Sequence, residues 1–90
     1  QAYRARVWTV LCRHFFSRYV PAAARVLDLG CGYGEFINQI AARERLGMDL
    51  NPATRTHLAP GVRFLEQDCT RPWPAAARDL DVVFTSNFLE

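Results

Sequence analysis

Lysine is absent from this chain, and all 11 basic residues are arginine. That bias reads as the coding preference of a GC-rich genome and not as chemistry. Acid is missing from the first 27 residues, which hold Arg4, Arg6, Arg13, Arg18 and Arg25. An arginine-rich, acid-free start suits a transit peptide or a nucleic-acid arm, but equally an amphipathic helix with its arginines in water, and the last is preferred here. A net charge of +2 over 90 residues gives no independent support for nucleic acid. No apolar run approaches the roughly 20 residues that cross a bilayer. Cysteine is scarce: Cys12, Cys31 and Cys69 are far apart, odd in number, and lack metal or redox spacing. A reduced, cytoplasmic protein with no metal is the expectation. What is abundant is apolar residues, half of the chain, enough for one small packed domain and too many for a disordered one.

Apolar positions Tyr3, Val7, Val10, Leu11, His14, Phe15 and Tyr19 recur at helical spacing, so residues 2 to about 19 are expected to form an amphipathic helix, stopped by Pro21. This gives an N-terminal helix over 1–20, packing on a domain over 21–90. Strands are expected at 25–30, 45–50, 62–68 and 80–87, with a helix over about 33–43 and a short helix or turn from Asn51-Pro52. Strands alternating with crossovers imply a parallel α/β sheet. The chain stops just past the fourth strand, so an incomplete domain is expected, its outer strand edge otherwise bare.

Residues 28–34 read Asp-Leu-Gly-Cys-Gly-Tyr-Gly, between the apolar pair Val26-Leu27 and the apolar-rich Phe36–Ile40. A strand, a glycine turn and a helix start form the place where parallel α/β units receive nucleotide-like ligands. Glycine permits positive φ and close backbone approach, and free N–H groups at the helix start favour an anionic ligand group. The dinucleotide pattern G-x-G-x-x-G needs glycine at position 35, where Glu35 stands. Asp49, 19 residues after Gly30, closes the second strand, where a carboxylate can accept both hydroxyls of a ribose. Asp68 closes the third strand, where a carboxylate can meet an adenine amino group. Thr85-Ser86-Asn87-Phe88 ends the fourth. Each acid also has a plainer role: Asp28 capping the following helix, Asp49 capping the Asn51-Pro52 turn, Asp68 holding a strand-end turn. Trp8, Trp73, Phe15 and Phe16 read as core or interface aromatics. His14 and His57 have no partner pattern that suggests catalysis.

Residues 26–34 resemble motif I of the class I S-adenosylmethionine-dependent methyltransferases, and 47–52 resemble their second-strand motif. Residues 64–69 resemble the adenine-binding segment, and 81–90 the fourth-strand motif of the small-molecule branch. The resemblance spans 25–90 in the expected order. It implies the N-terminal part of a Rossmann-like sheet in spatial order 3-2-1-4, with S-adenosyl-L-methionine as cofactor. It further implies that Gly30, Cys31 and Gly32 lie against the methionine part and Asp28 toward its ammonium. Asp49 would take the ribose diol, Leu50 the adenine face, Asp68 and the Cys69 backbone the adenine edge, Asn87 the methionine end, and Tyr33 would shield the cofactor. The expected function is methyl transfer to a small-molecule O, N or C acceptor, with no catalytic base identified. The alternatives are a nicotinamide-dependent oxidoreductase, which Glu35 disfavours, and a non-catalytic methyltransferase-like binding module.

Overall fold

The computed structural model describes residues 2–85. Helix α1 runs Ala2–His14, followed by a 3-10 turn at Phe16–Arg18. Strands β1 (Arg25–Leu29), β2 (Glu44–Asp49), β3 (Val62–Glu66) and β4 (Val82–Phe84) form one sheet in the order β3-β2-β1-β4. All three pairings are parallel, with Leu27 opposite Leu46 and Val83, and Gly47 opposite Phe64. Fold class and strand order agree with the reading of the sequence.

The centre of the sheet is buried on both faces, where β1 places an apolar residue on each. Val26 and Leu27 are fully buried and point to opposite sides. One side collects Val26 with Cys12, Val20, Ala24, Cys31, Phe36, Ile37 and Ile40. The other collects Leu27, Leu46, Met48 and Ala77, against which Leu65 and Trp73 pack. Phe84 of β4 stacks on Phe36 at 3.7 Å, and Phe16 meets both rings edge-on. Full burial of such a ring, which Phe36 at 2% exposure reaches, brings about 1.5–3 kcal/mol.

Two helical expectations change. Helix α1 ends at His14 and not near 19. The Ser17 hydroxyl takes the Arg13 carbonyl at 2.6 Å, an acceptor that a continuing helix would offer to a backbone N–H. Beyond it Phe16 turns into the core. The buried stripe of α1 also differs: Cys12 is buried and Trp8 packs on Phe16 and Phe84, whereas Tyr3, Val7 and Val10 are exposed. Trp8 and Cys12 are four apart and lie on one helix face.

Residues 35–39 form consecutive turns in place of the expected helix. Two helical bonds begin it, Asn38 N to Gly34 O and Ile40 N to Phe36 O. The next two acceptors are lost, because the Arg45 guanidinium from β2 donates to the carbonyls of Ile37 and Asn38 at 3.1 and 3.2 Å. The Asx turn at Asn51 behaves as expected: its side chain accepts Ala53 N at 3.0 Å and opens a 3-10 helix, Pro52–His57. Among the described residues no helix is long and apolar enough to cross a membrane.

Candidate cofactor site

The C-terminal ends of β1, β2 and β3 meet round a cavity of about 270 Å³ lined by Gly30, Met48, Asp49, Leu50, Gln67, Asp68 and Cys69. Five of these are residues that the sequence singled out. Parallel strands with register-matched ends bring them together, since Leu29 pairs with Met48 and Asp49 with Glu66.

The turn after β1 has positive φ at Gly30, Gly32 and Gly34 (67, 52 and 77°), which is left-handed backbone that side chains resist. At Gly34 a Cβ would also stand 2.7 Å from Asn38 Nδ2 and 2.9 Å from a Leu58 methyl. Four of the turn's amides are already engaged. Gly30 N and Cys31 N donate to Met48 O, Gly34 N to Cys31 O, and Gly32 N to Asp49 Oδ2 at 2.9 Å. Those four donors serve the turn itself, and no regular helix follows it.

Asp49 is held by two backbone amides, Gly32 N on Oδ2 and Asn51 N on Oδ1 at 3.0 Å. It does cap the Asn51 turn. A carboxylate accepts about four hydrogen bonds, so two acceptor positions remain, on an oriented group. Leu50 beside it is 67% exposed, an apolar side chain standing open at the cavity rim.

Asp68 Oδ1 accepts both the amide and the hydroxyl of Thr70, at 2.9 and 2.7 Å. These bonds favour the charged form and hold its carboxyl below the usual range, with Arg71 adding to the effect. The turn-holding role of Asp68 is thus real, and it lies within the cavity lining as well. The Cys69 carbonyl accepts Trp73 Nε1 at 2.9 Å. Gln67 went unremarked in the sequence. Its position between Glu66 and Asp68 at the end of β3 was the available signal.

Asp28 and Cys31 lie beneath the turn and outside the lining. Asp28 is 3% exposed; burial first, then the Asp49 charge, push its carboxyl up to about 7, and a bond from the Ile37 amide opposes them. Cys31 is buried with Sγ 2.8 Å from where a Cβ on Gly47 would stand. Burial, with the charges of Asp28 and Asp49, pushes its thiol up to about 12, which keeps it protonated and inert. Asn87 lies outside the described residues. Tyr33 is 66% exposed and meets His57 edge-on at 4.7 Å, away from this lining.

A family model described as a methyltransferase domain matches residues 27–90. No curated protein matches the chain. Among solved structures the chain is similar to the plantazolicin methyltransferase BpumL, solved in complex with a monoazolic desmethylPZN analog and SAH. The two are 19% identical with a TM-score of 0.60, over 90% of this chain and 34% of that one. At that identity the likeness speaks for the fold, and this chain spans about a third of that protein's length. The match over residues 27–90 settles the family: the chain belongs to the methyltransferase domain family.

Proposed function

We propose that the chain carries the cofactor-binding part of a cytoplasmic methyltransferase that uses S-adenosyl-L-methionine and acts on a small-molecule acceptor. The observation that carries this reading is the convergence of Gly30, Asp49, Leu50, Asp68 and Cys69 on one cavity at the strand ends. Its volume, about 270 Å³, lies just under the roughly 300–1,000 Å³ of small-molecule sites and suits a nucleoside. The donor set suits one too: an oriented carboxylate for a diol, an open leucine for a flat base, and Gln67 and Asp68 at the base's edge. The methionine part would then run over Gly30 and Gly32, above the buried carboxyl of Asp28. A nearby ammonium would favour the charged form of Asp28 and offset its burial. BpumL, of like fold, was solved with SAH and a substrate analog, which is consistent with the same ligand class here.

When bound, the cofactor supplies an electrophilic methyl group on a sulfonium. The protein's share is alignment. Asp49 fixes the nucleoside, the glycine turn allows close approach, and Leu50 excludes water from one base face. Such positioning can supply roughly 7–11 kcal/mol of a bimolecular barrier. No general base is assigned.

Isothermal calorimetry of the intact protein with S-adenosylhomocysteine tests the reading. Saturable heat at micromolar ligand supports it; no heat up to millimolar ligand overturns it.

A further inference from the structure

A second cavity, at about 470 Å³ larger than the one at the strand ends, lies apart from it. It lies between α1 and the residues after the glycine turn, with the end of the Pro52–His57 segment as its third wall. Arg4, Trp8, Tyr33, Gly34, Glu35, Asn38, Gln39 and His57 form it. Its volume is within the range of small-molecule sites.

Three of its walls are aromatic. Trp8 is anchored behind by Phe16 and Phe84. Tyr33 and His57 stand edge to face, and Asn38 builds that pair. Its Nδ2 donates to His57 O and its Oδ1 accepts Ala59 N, both at 2.8 Å, so His57 is clamped beside the segment that carries Tyr33. The two formal charges in the lining, Arg4 and Glu35, are paired with each other. The cavity therefore does not ask for a charged ligand. Gln39 is exposed, and its amide can both donate and accept. Aromatic faces with one two-way polar group suit a flat, uncharged ring system bearing a hydrogen-bonding substituent.

The two cavities flank one short turn. Gly30 lines the strand-end cavity and Gly34 lines this one, with the Gly32 amide on Asp49 between them. We infer that the cavity of Trp8, Tyr33 and His57 is the acceptor subsite and takes an uncharged aromatic or heteroaromatic methyl acceptor. This rests on the cofactor reading above. It gives α1 and the otherwise unassigned His57 a share in binding.

The test is a nuclear magnetic resonance titration of the intact protein with 2-quinolinone, a flat uncharged ring carrying a lactam. The indole signals of Trp8 and Trp73, the chain's two tryptophans, are read separately. The expected result is a saturable shift of Trp8 with Trp73 unmoved. Gln39→Ala and His57→Ala, at exposed positions, should each weaken it about threefold or more, the size of one lost ring or amide contact. Neither change should alter S-adenosylhomocysteine affinity, and an unmoved Trp73 signal reports that the variants are folded. A Trp8 signal that does not saturate overturns the inference, as does an equal shift with cyclohexanecarboxamide. If 2-quinolinone binds and S-adenosylhomocysteine does not, the cavity is real, but both the acceptor role and the cofactor reading fall.

Discussion

Replacing Asp28 by asparagine should stabilise the protein at alkaline pH and weaken its grip on the cofactor. Asp28 is 3% exposed near the C-terminal end of β1, and burial with the Asp49 charge lifts its carboxyl from 3.8 to about 7. A pKa raised by the fold means that the native state holds the proton more tightly than the unfolded chain. Between pH 3.8 and about 7 the native state then binds more protons, so stability falls as pH rises across that window. Below it the group contributes nothing adverse. Above it the full penalty stands, on the order of 4 kcal/mol as an upper bound from the size of the rise. Asparagine keeps the acceptor for the Ile37 amide and removes the charge, but its amide hydrogens need partners, worth about 1–3 kcal/mol if unmet. The net expected gain at pH 8 is about 1–3 kcal/mol, and near pH 4, where the charge penalty has almost gone and the amide cost remains, it reverses to a loss of about 0.5–2.5 kcal/mol. Urea unfolding of both proteins at pH 4, 6 and 8 measures it, the difference between them cancelling the other carboxylates. A difference that stays flat across those pH values would refute the argument. S-adenosylhomocysteine affinity measured on the same two proteins gives the second limb. If Asp28 faces an ammonium, the asparagine protein binds about tenfold more weakly, near 1.4 kcal/mol.

Asp49→Ala should weaken S-adenosylhomocysteine binding by about 1–3 kcal/mol through lost charge-assisted hydrogen bonds, and calorimetry showing unchanged affinity would remove the ribose assignment. Gly47→Ala places a Cβ 2.8 Å from Cys31 Sγ in the middle of the sheet. It should destabilise by about 1–3 kcal/mol, with partial relief in the Gly47→Ala, Cys31→Ala pair; strictly additive unfolding energies would contradict that contact. Thr70→Val removes the hydroxyl that bonds Asp68 at 2.7 Å. The Asp68 carboxyl, titrated by carbon nuclear magnetic resonance, should move up toward its ordinary value; no movement would mean the hydroxyl bond is not formed.

The strands were legible because β1 and β2 carry short apolar stretches bounded by an acid or a glycine, a pattern that local residue types set, while their order came from the family resemblance of residues 25–90. The cavity at the strand ends followed, since a parallel register carries Gly30, Asp49 and Asp68 to one edge whatever the crossovers do. What sequence could not supply depended on distant partners. The helix expected over 33–43 yields to turns because Arg45, on another element, takes the carbonyls of Ile37 and Asn38. Tyr33 and His57 meet only because Asn38 spans 19 residues to hold the His57 carbonyl. Asp28 stands out in the sequence as an acid ahead of glycines, but its burial and its bond from the Ile37 amide depend on how the chain returns after the turn, which no spacing rule encodes.

The position of β1 at the centre of the sheet also sets an order of events for a chain still being made. Val26 pairs with Arg45 on one side and with Val82 on the other. At about 5–20 residues per second, the ribosome supplies the second partner on the order of 3–11 s after the first strand appears. For that interval β1 can pair only toward β2, and its other edge, flanked by the apolar Val26 and Leu27, stays open to any extended segment nearby. Native closure waits for β4, a long-range pairing and intrinsically slow. Arg25 and Asp81, whose backbone amides bond across to Asp81 Oδ2 and to Arg25 O at 2.8 and 2.9 Å, sit where that edge is first sealed. Loss of the Asp81 carboxylate should therefore appear first as a lower yield of soluble protein during synthesis.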